Sequence, residues 1–146
     1  MPFIPGIFYN AILVSAATAW AIAQLLKVLV SVILLRKLDL QLIFSSGGFP
    51  SSHSATVSAL ALGIGKYYGW HSPIFAVAAV FGIIVLYDAA GVRRAAGLQA
   101  EVLNQLVERM YPNLNIKKKR LKELIGHTPF EVFAGVIVGI IVGLLL

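Results

Sequence analysis

The stretch from Phe8 to Leu35, FYNAILVSAATAWAIAQLLKVLVSVILL, decides the fold. At ~1.5 Å per helical residue it is longer than a bilayer core of ~30 Å, so it must tilt or protrude. Gln24 and Lys27 lie inside it. An ionisable group at such a depth either snorkels to the interface, pairs with a partner such as Asp88, or serves a function.

The rest of the chain agrees with a membrane setting. Of its 146 residues, 59% are hydrophobic and 12% are charged, against ~25% charged in soluble proteins. The mean hydropathy is +0.88. These values describe one membrane-embedded domain over residues 1–146. The absence of cysteine excludes a disulfide framework and a thiolate metal site. Met1 to Asn10 contain no basic residue, and the apolar run behind them is long enough to span. The first segment is therefore expected to stay in the mature protein.

Three further apolar segments follow, at about Ser54 to Tyr68, Pro73 to Tyr87 and Pro129 to Leu146. The first of these, Ser54 to Tyr68, is short and rich in Ala, Gly and Ser, as suits a helix packed among others. In the last, Gly135, Gly139 and Gly143 recur every four residues. They form a smooth face for another helix of the same chain or of a second copy, which would make a homo-oligomer. Between Asp88 and Gly126 lies the main polar region. Val92, Ala96, Leu103, Leu106, Val107 and Met110 follow a helical period there, which predicts an amphipathic helix at the membrane surface over Ala89 to Met110. Tyr111-Pro112-Asn113 stops it. The expected fold is all-α, a bundle of about four transmembrane helices with one interfacial helix.

The basic residues orient this bundle. If the segments alternate, the first and third connections carry Arg36, Lys37, Arg93, Arg94, Arg109, Lys117, Lys118, Lys119, Arg120 and Lys122, against Lys66 alone in the second. Positive charge stays on the cytoplasmic side, so both termini are expected outside. The run Lys117 to Lys122 reads as a flank beside anionic headgroups. It is too short, in too apolar a chain, to indicate nucleic acid. His71, beside Trp70 on the opposite side, reads as interfacial.

The same assignment brings two other histidines to the cytoplasmic face. His53 stands in Gly47-Gly48-Phe49-Pro50-Ser51-Ser52-His53-Ser54, and His127 in Gly126-His127-Thr128-Pro129. Two imidazoles, Arg93 and Arg94 nearby, a Gly/Ser turn with free N–H groups at a helix start and no carboxylate-rich cage together suit a phosphate-type oxyanion. A metal-free phosphoryl transfer fits: one histidine attacks phosphorus and the other protonates the leaving oxygen. Glu131, four residues after His127, would share its helix face and fix its tautomer. The blander alternatives are that His53 and its serines only cap a helix, and that His127 and Glu131 form an interfacial pair or ligate a metal. Asp88 reads as a structural partner of Arg93, Arg94 or Lys27.

Pro50-Ser51-Ser52-His53 resembles the Pro-Ser-Gly-His signature of the type 2 phosphatidic acid phosphatase superfamily, which includes the vanadium haloperoxidases. His127 with Glu131 resembles its His-x-x-x-Asp. Gly47 to Ala55, Tyr87 to Arg94 with Gly97, Gln99 and Ala100, and Leu124 to Pro129 are similar to the small divergent branch of that superfamily. The resemblance runs from about Gln24 onward.

It implies His127 as a nucleophile forming a phosphohistidine, Glu131 as its orienting carboxylate and His53 as the general acid. Arg93 or Arg94, Ser51 and Ser52 would contact phosphate, and Lys27 would stand for the lysine of the first motif. No cofactor is implied. The chain departs from the pattern at Ser52, at Glu131, in the roughly thirty residues that separate the arginines from His127, and in its first motif, where no Arg-Pro follows Lys27 at the usual spacing. Two functions follow. One is a membrane-embedded phosphatase acting on a lipid phosphate or diphosphate at the cytoplasmic leaflet. The other is a non-catalytic protein that binds anionic lipid or a partner through the same pocket.

Overall fold

A computed structural model describes residues 8–36, 47–110, 121 and 126–146. Lys37 and the run Lys117 to Lys122, Leu121 excepted, lie outside the described residues. The described residues form helices α1 (Ala11–Leu35), α2 (Ser52–Tyr68), α3 (Pro73–Ala90), α4 (Val92–Met110) and α5 (Pro129–Leu145), with no strand among them.

Short polar residues set where four of these helices begin. Asn10, Ser51, Ser72 and Thr128 each accept a hydrogen bond from the backbone N–H three residues on, which is worth about 1 kcal/mol per cap. Pro73 and Pro129 follow their caps at the position where a missing N–H costs nothing. α2 starts earlier than its apolar pattern indicates, because Ser51 rather than His53 caps it, and Ser52 and His53 fall in its first turn. α3 runs on to Ala90, and only Gly91 separates it from the amphipathic helix α4.

α1, and the helical run from Pro73 to Met110 that joins α3 to α4, are long and apolar enough to cross a bilayer. α2 and α5, at 17 residues each, are shorter than the ~20 of a full crossing and lie against each other. α2 is the central element, packed along α5, α1 and α3, while α1 also meets α5. The core between them is built from small residues, Ala19, Ala23, Ala55 and Ala59, with Val142. Close backbone approach supplies the packing that lipid-soluble surfaces cannot obtain from water. A Cβ on Gly135 would stand 2.2 Å from the Ser51 carbonyl oxygen, and one on Gly139 would stand 2.3 Å from that of Ala55. The glycine face is thus occupied by α2 of the same chain, and a homo-oligomer through Gly135, Gly139 and Gly143 would have to displace that helix.

At the far end Lys66 donates from Nζ to the carbonyls of Gly143 at 3.1 Å and Leu144 at 3.3 Å, closing the C-terminus of α5. α4 packs chiefly on α3. Its apolar residues Val92, Val102, Leu103, Leu106 and Met110 remain exposed, as an interfacial helix requires. Asn104 is buried and holds the Leu121 backbone by two hydrogen bonds of 3.0 Å.

Candidate active site

Two helix starts meet at one end of the bundle. The Ser51 N–H donates to the Glu131 carbonyl at 3.0 Å, and Phe49 stacks on Phe130 with centroids 5.4 Å apart. Gly135 lets the Ser51 backbone approach α5 closely enough for this. The first turns of α2 and α5 therefore form a single platform.

Within it, Glu131 serves two partners. It completes a capping box with Thr128, accepting the Thr128 N–H on Oε2 at 3.0 Å, and the same oxygen lies 3.1 Å from His127 Nδ1. An ionised carboxylate only accepts, so Nδ1 is the donor and carries the ring proton. Glutamate rather than aspartate suits this position, because a capping box needs that reach from the third helical residue back to the cap.

The ring of His127 is 1% exposed. Its other nitrogen, Nε2, is buried with no hydrogen bond of good geometry among the described residues, although the Gly48 backbone lies close enough to act on the ring. Leaving a buried polar atom in this state costs about 1–3 kcal/mol, and the tautomer makes it an unshared lone pair. Burial lowers the His127 pKa. The Glu131 hydrogen bond and charge oppose this, as does the Gly48 backbone, while the Lys27 charge adds to the lowering.

The peptide before His127 is docked on the α3–α4 junction. The His127 N–H donates to the Ala89 carbonyl at 3.0 Å. A Cβ on Gly126 would lie 2.2 Å from both N and Cα of Arg94 and 2.7 Å from the carbonyl carbon of Arg93. Backbone thus lies directly on backbone there. The long sequence gap between the arginines and His127 is bridged by this backbone contact, and the charge of Arg93 acts on His53.

The other expected residues distribute as follows. The His53 and His127 rings are 6.3 Å apart between centroids. His53 is half-buried, and the charges of Arg93, His127, Lys27 and Asp88 all act on it. Lys27 is 2% exposed, and its stem packs on Gly48, which has a φ of +100° that favours glycine. Lys27 also lies within electrostatic reach of Glu131. Ser51 is fully buried, and its hydroxyl accepts from both Ser54 N–H and Ser54 Oγ, so it serves as a cap. Ser52 is 2% exposed at the first helical position, where its backbone N–H has no intrahelical acceptor. Arg93 pairs with Asp88. Arg94 is exposed, and its backbone rather than its guanidinium supports the His127 loop.

Sequence reasoning missed the Ala89 carbonyl, the Phe49–Phe130 stack and the cap role of Thr128. The last was readable, since Thr128-Pro129-Phe130-Glu131 has capping-box spacing with proline at the first helical position. Among the described residues no group of three or more His, Asp or Glu could hold a metal ion. The arrangement offers a buried lone pair, a second imidazole beside it and cationic groups around both, which is the chemistry of an oxyanion site.

The described residues form a helical bundle, apolar enough to lie in a membrane, with two imidazoles at the joined starts of two of its helices. The chain belongs to the divergent PAP2 family, whose pattern it matches over residues 8–142. It is 45% identical over 148 aligned residues to the uncharacterized membrane protein YuiD of Bacillus subtilis (strain 168), with 94% of each chain covered. No solved structure matches it.

Proposed function

We propose that the protein is a metal-independent phosphatase that hydrolyses a lipid phosphate or diphosphate at the cytoplasmic leaflet through a phosphohistidine. The observation that carries this reading is His127, whose Nδ1 is held by a capped carboxylate while Nε2 is buried with its lone pair unengaged. The large majority of buried polar side-chain atoms are hydrogen-bonded, so a buried imidazole nitrogen without a good bond favours a functional reading.

In the first step the Nε2 lone pair attacks phosphorus. The P–O bond to the lipid breaks, and the leaving oxygen takes a proton from protonated His53. Glu131 stabilises the positive charge that develops on the His127 ring. In the second step neutral His53 takes a proton from water, whose oxygen attacks the same phosphorus. The P–N bond breaks, inorganic phosphate leaves, and both histidines return to their starting states. Arg93, Lys27 and the first N–H groups of α2, including that of Ser52, balance the charge on the phosphoryl oxygens.

The leaflet follows from the distribution of basic residues, since the convergent end carries Arg36, Arg93 and Arg94 while Lys66 lies at the other. A site there meets a headgroup whose tail stays in lipid. The test is phosphate release from a panel of lipid phosphates and diphosphates by purified protein in chelator, with inhibition by orthovanadate. A strict magnesium requirement would point to another mechanism. Hydrolysis of none of the panel, together with anionic-lipid binding lost in Arg93→Ala and Arg94→Ala, would establish the binding protein instead.

A further inference from the structure

Arg93 and Asp88 face each other across the break at Gly91. Asp88 lies in the last turn of α3 and Arg93 in the first turn of α4, and the Arg93 Nε–H donates to Asp88 Oδ2. Both side chains are about two-fifths exposed, at 42% and 37%, so the pair is not there to neutralise a buried charge. An exposed pair contributes little to stability, ~0–1 kcal/mol. Its location is more informative. Ala89, the next residue, accepts the His127 N–H, and the backbone of Arg93 and Arg94 seats Gly126. The charges of Arg93 and Asp88 both act on His53.

A guanidinium has a planar fork, and Asp88 takes it from the Nε side. The terminal nitrogens have no partner among the described residues. They retain the paired N–H groups that match two oxygens of a phosphoryl group. We infer that Asp88 is a positioning residue for phosphate recognition: it fixes the Arg93 side chain through Nε, so that the terminal N–H groups face the space between His53 and His127. The inference rests on the phosphate-site reading above and adds to it a residue that never touches the substrate.

Simple electrostatics makes the opposite prediction, which gives the test its force. A carboxylate beside an anion site repels the anion, so removing it should tighten binding. If Asp88 positions Arg93, removing it should weaken binding because the fork is released. Orthovanadate is the probe, with binding to the purified full chain measured by calorimetry and inhibition measured alongside. Arg93→Ala should weaken binding by about tenfold or more, as loss of charge-assisted hydrogen bonds does. Asp88→Ala should weaken it by a similar factor, and the double variant should be no worse than Arg93→Ala, since the two residues act as one unit. Asp88→Asn keeps an acceptor for Nε without the charge. It should bind at least as tightly as the parent, and it guards against misreading an Asp88→Ala that folds poorly.

Tighter binding by Asp88→Ala, or losses that multiply in the double variant, would overturn the inference. If the parent hydrolyses nothing yet binds vanadate and shows this cycle, the phosphatase reading fails while the positioning role stands. If the parent binds no vanadate, both fail.

Discussion

Gly126→Ala tests how the site is assembled. The added Cβ would stand 2.2 Å from N and Cα of Arg94, where ordinary contact begins at 3.4 Å. The loop must therefore move by 3.4 − 2.2 = 1.2 Å, because the neighbour is backbone and cannot rotate aside. That displacement strains or breaks the 3.0 Å bond from the His127 N–H to the Ala89 carbonyl and carries the imidazole away from Arg93 and His53. A misplacement of about 1 Å at reacting groups costs on the order of 100-fold in rate, so kcat on a lipid phosphate should fall by roughly that factor. Gly82→Ala is the control, because nothing lies within 4 Å of its Cβ. Mid-helix, it should leave the rate unchanged and stabilise by about 0.5–1 kcal/mol. Both can be read from initial rates in mixed micelles and thermal unfolding of the same samples. A Gly126→Ala protein that turns over at the parental rate, or a Gly82→Ala protein equally impaired, would refute the argument.

Burial holds the His127 pKa below its ordinary value, so its neutral form persists into more acidic solution, and the acid limb of kcat/KM should lie below about pH 6.5. Glu131→Gln removes a charge that raises this pKa, so the limb should move further down, with kcat lowered less than in His127→Ala; an upward movement would contradict the assignment. Lys66→Met loses the bonds to Gly143 and Leu144 at the far end and should lower stability by about 1 kcal/mol without altering turnover, as thermal unfolding and initial rates together would show. Because the chain has no cysteine, single cysteines at Ser72 and Asn113 report topology directly: Ser72→Cys should label from outside and Asn113→Cys from the cytoplasm, and the reverse pattern would move the site to the other leaflet.

Much of the fold is legible because membrane helices announce themselves locally. The segment limits at Tyr68, Pro73 and Pro129 match the helices, and the amphipathic pattern from Val92 to Met110 becomes α4. The pairing of Glu131 with His127 is expected from a shared helix face, but His127 precedes the cap Thr128 and lies outside α5, and the two meet because the capping-box carboxylate reaches back. What stayed hidden depends on contacts between distant segments. Nothing local to Ala89 marks its carbonyl as the acceptor of the His127 N–H, since any residue carries that group. Gly126 was visible, but its purpose, seating backbone on Arg94, depends on tertiary structure alone. Ser51 reads from sequence as a phosphate contact or a helix cap, because a hydroxyl beside a helix start suits both roles, and its hydrogen bonds from Ser54 show the cap. The glycine stripe left its partner open, and within the chain α2 packs on it.

The central claim is that His127 Nε2 is the atom that accepts phosphorus. Rapid alkaline quenching of the enzyme with radiolabelled lipid phosphate, followed by peptide mapping, tests it most directly. An alkali-stable, acid-labile label on the peptide containing His127, absent from His127→Ala along with all turnover, is the predicted result. A His127→Ala protein that hydrolyses the same lipids at the parent's rate would contradict it.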